Sequence, residues 1–462
     1  MKLDIRFLTA LFLFTLPIIN PHIRGDGVGY YAYVRSIVID RDLNFENEYR
    51  HGNLAFRNRA FDENSNLKTW LKMPNNFVRN QWAVGSSILW SPFFLIAHFI
   101  VLCLNNLGSN IPANGYSIPY RLLCAFGTML YSFVGLMLAY QVAKKFASPI
   151  ASMIATIGIW FGSSLPVYMY FLPFQAHALA AFSVSLFIWY WVRTQQNRTL
   201  HQWVLWGLMG GLVMDIYNIN SIFLLLPIFD LIRNTQKQKI IKNLLINGTS
   251  FGIGACISLS PHWLTKWIIF GSPFAIGHDS SHPFFWSSPR LWNIGFSTEH
   301  GMFLWTPLLL LAIIGVILLI LKESWIGGCL LATFIAYYYV ISSYEGWHGL
   351  SSFGNRFFVA FSSIFVMGLA VFIDKIRISF LVSTIIVTFF ICWNLGFIYQ
   401  WGSNLVPNRG PVNFTMVAHN QIFVVPKKLG DFIFRYLFHR KEVMEDIEAE
   451  DIKESEKYQR HR

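Results

Sequence analysis

Apolar runs about as long as a bilayer is thick recur along this chain, from near its first residue to about residue 400. That pattern constrains the fold more than any single motif. A run of roughly 20 apolar residues crosses a hydrocarbon core as a helix, and in lipid only helices or closed barrels satisfy their backbone groups. Composition agrees: 54% of the 462 residues are hydrophobic and 17% aromatic, with 13% charged, where a soluble domain has about 25% charged residues. Disordered, collagen-like, coiled-coil and disulfide-scaffold folds are excluded, as is a soluble enzyme with one small anchor. The expected fold class is an all-α polytopic membrane protein.

The net charge of +12 does not point to nucleic acid. No basic helix or nucleic-acid motif accompanies it, and the positive residues sit mostly at the ends of apolar runs, where they set membrane orientation. Cys103, Cys124, Cys256, Cys329 and Cys392 lie inside apolar stretches without CxxC spacing. They read as small core residues.

The first run, Phe7 to Ile19, follows Lys2 and Arg6 and lacks a small-residue cleavage site. It is expected to be an uncleaved helix with a cytoplasmic N-terminus. Further runs cover 119–141, 149–171, 174–193, 203–231, 240–262, 303–322, 325–343, 357–374 and 379–399. Lys144-Lys145, Arg193/Arg198, Arg233/Lys242, Lys322 and Lys375 mark their cytoplasmic ends. The run 203–231 begins and ends beside such marks and is interrupted at Asp215–Asn220, so two short helices meeting part-way are expected. About eleven crossings result. Residues 86–104 are apolar too, but the side count leaves them lying along the outer surface, where Pro92 and His98 are tolerated.

This topology places residues 22–85 outside as a folded first loop, with 171–175, 263–301 and 344–356. The transmembrane domain is expected over 1–400, with the outer loop and juxtamembrane helices at 22–104. A C-terminal segment with a charged tail follows at 401–462. The mid-span stretches hold few ionisable groups, Asp215 being the chief exception. Function is therefore expected at the extracytoplasmic face of the plasma (inner) membrane.

Candidate groups cluster in those outer segments. Asp26, in Arg24-Gly-Asp26-Gly-Val-Gly-Tyr30-Tyr31, stands where the first helix leaves the bilayer. It suits either a general base for a hydroxyl or a cap for the next helix. Asp40 and Asp42 form a short DxD that suits either a second acidic site or a solvated loop. Glu345-Gly-Trp347-His348 leads through a glycine-rich loop to Arg356, whose guanidinium can bind phosphate bidentately or snorkel to the interface. Glu299-His300 lies in a second outer motif, and His177 at the outer end of a span. His278, Asp279 and His282 suggest a metal only thinly.

These motifs, in this order, resemble the GT-C glycosyltransferases, among them protein O-mannosyltransferases, the lipid A aminoarabinose transferase and family 39-like membrane proteins. The matching pieces are GDGVGYY, NQWAVGSSILWSPFFLIAH, YFLPFQAHALAAF, GFSTEHGMFLWTP and GWHGLSSFGNRFF. The resemblance implies a polyprenyl-phosphate sugar as donor, with its tail among membrane lipids, and a hydroxyl acceptor. It places the catalytic aspartate at Asp26; Asp40 and Asp42, read from the sequence alone, are further catalytic candidates. Donor phosphate would fall to Arg356, with Lys72, Arg79 and His177 as further candidates. Tyr30, Tyr31, Glu345, Trp347, His348, Glu299 and His300 would contact acceptor or sugar. A divalent metal stays open. Asp-Ile-Tyr-Asn stands where relatives commonly place a basic residue. A lipid or glycan transporter, and a non-catalytic accessory protein of the same fold, are the alternatives.

Overall fold

The computed structural model describes residues 2–195, 198–238, 241–275, 277, 283–376 and 379–460. It is 74% helical, without strands among the described residues. In chain order the longer helices are α1 (Lys2–Thr15), α2 (Asp26–Arg35), α3 (Gly85–Asn106), α4 (Ile118–Ala143), α5 (Pro149–Phe161) and α6 (Ala176–Thr194). Then come α7 (Leu200–Ile216), α8 (Leu225–Gln238), α9 (Ile241–Phe270), α10 (Leu308–Lys322) and α11 (Ser324–Ser343). The last are α12 (Ser362–Lys375), α13 (Phe380–Gly402), α14 (Phe414–Phe423), α15 (Val425–Phe438) and α16 (Arg440–Arg460).

Among the described residues, six helices are long and apolar enough to cross a membrane: Gly85–Asn106, Ile118–Ala143, Leu244–Phe270, Ser324–Ser343, Arg356–Lys375 and Phe380–Gly402. Two shorter apolar helices, Pro149–Phe161 and Leu308–Lys322, accompany them. The chain is an α-helical multi-pass membrane protein. The count differs from the eleven expected crossings because hydropathy does not register breaks in the backbone. The run at 149–171 is a helix to Phe161 followed by a π turn at Val167–Phe171, and 303–322 is interrupted after Trp305. The run at 203–231 divides after Ile216, with a 3-10 turn at Asn218–Leu224 before α8. Residues 86–104, expected on the surface, form a helix that meets the length and hydropathy of a span.

The chain divides into two compact units. One comprises Ile19–Gly135 and Tyr168–Asp279 and is called the first unit here. At its centre α7 and α9 touch backbone to backbone. A Cβ on Gly207 would stand 2.0 Å from the Phe251 carbonyl oxygen, and one on Gly254 2.0 Å from that of Val204. Small residues allow this approach where lipid offers no hydrophobic force between helices. At the start of α7, buried Arg198 pairs with Asp230 at 3.2 Å and lies over the rings of Trp203 and Trp206. The charged segment after α2 is folded, with short helices at Glu46–Arg50 and Leu54–Ala60. Phe45, Tyr49, Phe61, Leu67 and Val78 form a core there with Tyr33 of α2 and Ile269 of α9.

The second unit comprises Met1–Ile18, Leu136–Val167 and Ser280–Arg462. Here α10 and α12 meet at glycines: a Cβ on Gly315 would lie 1.7 Å from the Gly368 carbonyl oxygen. Asn394 of α13 donates to the carbonyls of Phe161 and Ser163, each at 2.8 Å, and so satisfies backbone groups freed where α5 ends. Tyr436 of α15 donates to the Ile18 carbonyl at 2.9 Å.

Candidate functional site

In the first unit, Asp26 is the first residue of α2. The cap position falls to Gly25 (φ 57°), a left-handed conformation that suits glycine and provides no capping side chain. Asp26 is therefore in the helical first turn rather than at the cap, half-buried, where the helix dipole favours a carboxylate. The rest of α2 is tightly held. A Cβ on Gly27 would meet Phe174 Cβ at 2.7 Å, and one on Gly29 would meet the Trp82 ring at 1.8 Å. Asn80 donates to the Gly29 carbonyl at 2.9 Å, and Ser87 to that of Tyr30 at 2.5 Å. The glycines after Asp26 thus give close packing rather than a loose turn. They also bring the Pro173–His177 segment to the head of α2.

Asp40 and Asp42 lie beyond the other end of α2. At about 1.5 Å rise per residue they stand on the order of 15–20 Å from Asp26, so the three carboxylates do not share one reacting atom. Asp40 pairs with Arg35 and accepts from Asn47 at 2.6 Å. Asp42 accepts from the Ser36 hydroxyl at 2.6 Å and the Asn44 amide at 3.2 Å. Both close the turn that ends α2. Tyr31, expected to touch sugar, is 1% exposed, and its hydroxyl donates to the Gly115 carbonyl at 2.5 Å. That makes it a core residue. Tyr30 is also buried, beside Trp82. His177 is buried between the rings of Tyr168 and Tyr217, at 4.8 and 5.1 Å. Lys72 is exposed on a turn, and half-buried Arg79 gives its carbonyl to the Tyr49 hydroxyl at 2.8 Å.

In the second unit, two motifs distant in sequence converge. Glu299 and His300 lie on the turn before the short helix Met302–Trp305; His348 and Arg356 flank the glycine-rich loop. Glu299 Oε1 stands 3.7 Å from His348 Nδ1. The Leu350 amide donates to that nitrogen at 3.1 Å, which leaves the proton of the neutral ring on Nε2. His300 is fully buried against Trp305, ring centroids 4.7 Å apart. Burial, then His348 and Arg356, pushes it down to about 3, so it is neutral near pH 7. His300 (φ 57°) and Leu350 (φ 58°) are both left-handed non-glycine residues, each costing roughly 1–3 kcal/mol.

Arg356 opens a 3-10 turn and is half-buried. Its position is set by a loop with left-handed Gly349 and Gly354, where Ser352 donates to the Gly354 carbonyl at 2.9 Å and Asn355 to that of Trp347 at 3.0 Å. A Cβ on Gly349 would lie 3.3 Å from Arg356 Nε. Trp347 is buried with its ring edge-on to His348. Glu345 donates its amide to the Pro283 carbonyl at 3.0 Å. Arg356 and His348 both act on His300, and a guanidinium in such a place can bind an anion.

Among the described residues, no group of three His, Cys, Asp or Glu is arranged to hold a metal. His278, Asp279 and His282 lie outside the described residues. No protein-family model matches the chain, and no curated protein matches it.

Sequence reasoning missed a polar cluster in the first unit. Buried Lys266 of α9 donates to three successive carbonyls, those of Asn80, Gln81 and Trp82, at 3.1, 3.3 and 3.1 Å. One turn earlier, His262 Nδ1 stands 3.1 Å from Asp215 Oδ1. Glu48 is also buried, 2.7 Å from Arg35 Nη1, and its desolvation outweighs that pairing and raises it to about 7. The available signal was Asp215 in mid-span with His262 and Lys266 at and just past the end of the 240–262 run, where ionisable residues are expensive.

Proposed function

We propose that this chain is a membrane-embedded glycosyltransferase of the GT-C kind, moving a sugar from a polyprenyl-phosphate donor to a hydroxyl acceptor at the extracytoplasmic face. The observation that carries the reading is the convergence of Arg356, His348, Glu299 and His300 from two separate motifs. It brings one guanidinium, two imidazoles and one carboxylate together on a strained backbone, and the guanidinium is a group of the type that holds a phosphate. In the other unit, half-buried Asp26 at the head of α2 is the carboxylate to which the GT-C resemblance gives the role of base.

In this mechanism the acceptor hydroxyl oxygen attacks the anomeric carbon while the bond from that carbon to the phosphate oxygen breaks. The hydroxyl proton passes to the Asp26 carboxylate. Charge developing on the lipid phosphate needs a cationic group, the role that the GT-C resemblance gives to Arg356. A single displacement inverts the anomeric centre. The topology of about eleven crossings counts the shorter helices with their terminal turns.

The test is purified protein incubated with a panel of radiolabelled polyprenyl-phosphate sugars, wild type beside Asp26→Asn. Donor cleavage or transfer by wild type alone supports the assignment; equal turnover by the variant refutes it. A transporter is the second reading, and the Asp215–His262 pair buried among apolar helices favours it. Counterflow of the lipid-linked sugar in proteoliposomes, without cleavage, would decide for that reading.

A further inference from the structure

The C-terminal part of the second unit plays no part in the proposed chemistry, yet its surface is distinctive. α15 has two unlike faces. One packs on its own unit, through Phe432 against Tyr399 of α13 at 5.0 Å and the Tyr436 hydroxyl on the Ile18 carbonyl at 2.9 Å. The other leaves Ile433, Phe434, Leu437 and Phe438 at 47, 55, 38 and 70% exposure, and Ile422 and Phe423 at the end of α14 continue it.

Two further observations say what covers that face. α15 is seated where α13 ends, and just past α1, and α13 exposes Ile385 and Phe389 along its length at 58 and 61%. A helix that continues the apolar surface of a span, at the end of that span, lies at the bilayer boundary. The charge there is also mostly basic. Between Phe414 and Lys441 stand Lys427, Lys428, Arg435, Arg440 and Lys441, with Asp431 as the sole acid. Lys427 and Lys428 are exposed in the first turn of α15. Arg435 reaches Asp446 of α16 at 2.9 Å, and both side chains remain solvent-accessible.

We propose that α14 and α15 form an interfacial hairpin whose aromatic face enters the leaflet and whose lysines and arginine bind the headgroups of anionic glycerophospholipids. An amphipathic helix with apolar rings on one side and basic residues flanking them binds a membrane surface in this way. Each basic side chain near an anionic surface adds about 1 kcal/mol, so three together favour anionic over zwitterionic lipid by on the order of 100-fold. The assignment is independent of the glycosyltransferase reading.

The experiment uses the full-length protein in mixed micelles with equimolar phosphatidylglycerol and phosphatidylcholine. Native mass spectrometry reads the ratio of the two lipids retained. Wild type is expected to retain phosphatidylglycerol preferentially. Lys427→Ala/Lys428→Ala/Arg435→Ala should lower that preference at least 10-fold, and Lys427→Arg/Lys428→Arg should keep it. Gel filtration with the same profile for each variant excludes misfolding as the cause. A triple-alanine variant with the wild-type ratio, or a wild type with no preference, overturns the proposal.

Discussion

Gly29→Ala tests whether the close fit of α2 positions the site. The added methyl would stand 1.8 Å from Trp82 Cε3 and 2.3 Å from Cζ3. Carbon atoms rest at about 3.5–4.0 Å, so helix and ring must separate by about 2 Å. Neither side yields easily. Trp82 packs on Tyr30 and Phe56, and Lys266 holds its carbonyl. On the helix side, Asn80 and Ser87 bond the backbone at Gly29 and Tyr30. Overpacking of this kind costs roughly 1–3 kcal/mol. A displacement of about 1 Å at the head of α2 would lower turnover by on the order of 100-fold. The assay is a double-mutant cycle with Trp82→Ala, read by SDS-titrated unfolding in mixed micelles and by sugar transfer. Removing the ring opens the space, so Gly29→Ala should cost little in the Trp82→Ala background. An equal cost with and without the ring would refute the packing argument.

Other expectations follow from the same geometry. Arg356→Ala should lower transfer by at least about 100-fold, with Arg356→Lys recovering part of it, because lysine keeps the charge but not the bidentate fork; single-turnover kinetics would show this. Lys266→Met leaves three carbonyls without their donor, and should speed hydrogen exchange at residues 80–84 and cost roughly 1–3 kcal/mol. His300 titrates near 6.5 when unfolded and is pushed down to about 3 when folded. The unfolded chain thus binds more protons between those values, and stability falls as pH drops from 6.5 toward 3. His300→Gln should flatten that fall, measured as unfolding midpoint against pH.

Much of the site was legible because its residue types are conspicuous in an apolar chain. The Glu299-His300 and His348…Arg356 motifs could each be singled out from composition, being polar and glycine-rich between spans. Their meeting could not, since it depends on how the turn at Ser297–Gly301 and the loop at 349–355 pack. The acidic residues show the opposite case. Along the sequence Asp40 or Asp42 could still work together with Asp26, and only the length of α2 separates them. Tyr31 reads as a binding aromatic beside Asp26, but helical periodicity turns it into the core among Trp90, Phe94 and Phe174.

The sequence by itself determined the solvent of this protein and its class of fold. Apolar runs of bilayer length, with basic residues at their ends, leave a chain few choices besides helices in lipid. It also determined where polar chemistry could gather, because a buried ionisable group is too expensive to occur without a partner. The tertiary structure decided which helices break, which glycines are contact points rather than hinges, and which charges are consumed as braces. Those outcomes depend on distances between residues far apart in the chain. Lys266 against residues 80–82, Gly29 against Trp82 and Glu299 beside His348 exist only once the backbone has brought them within a few ångströms.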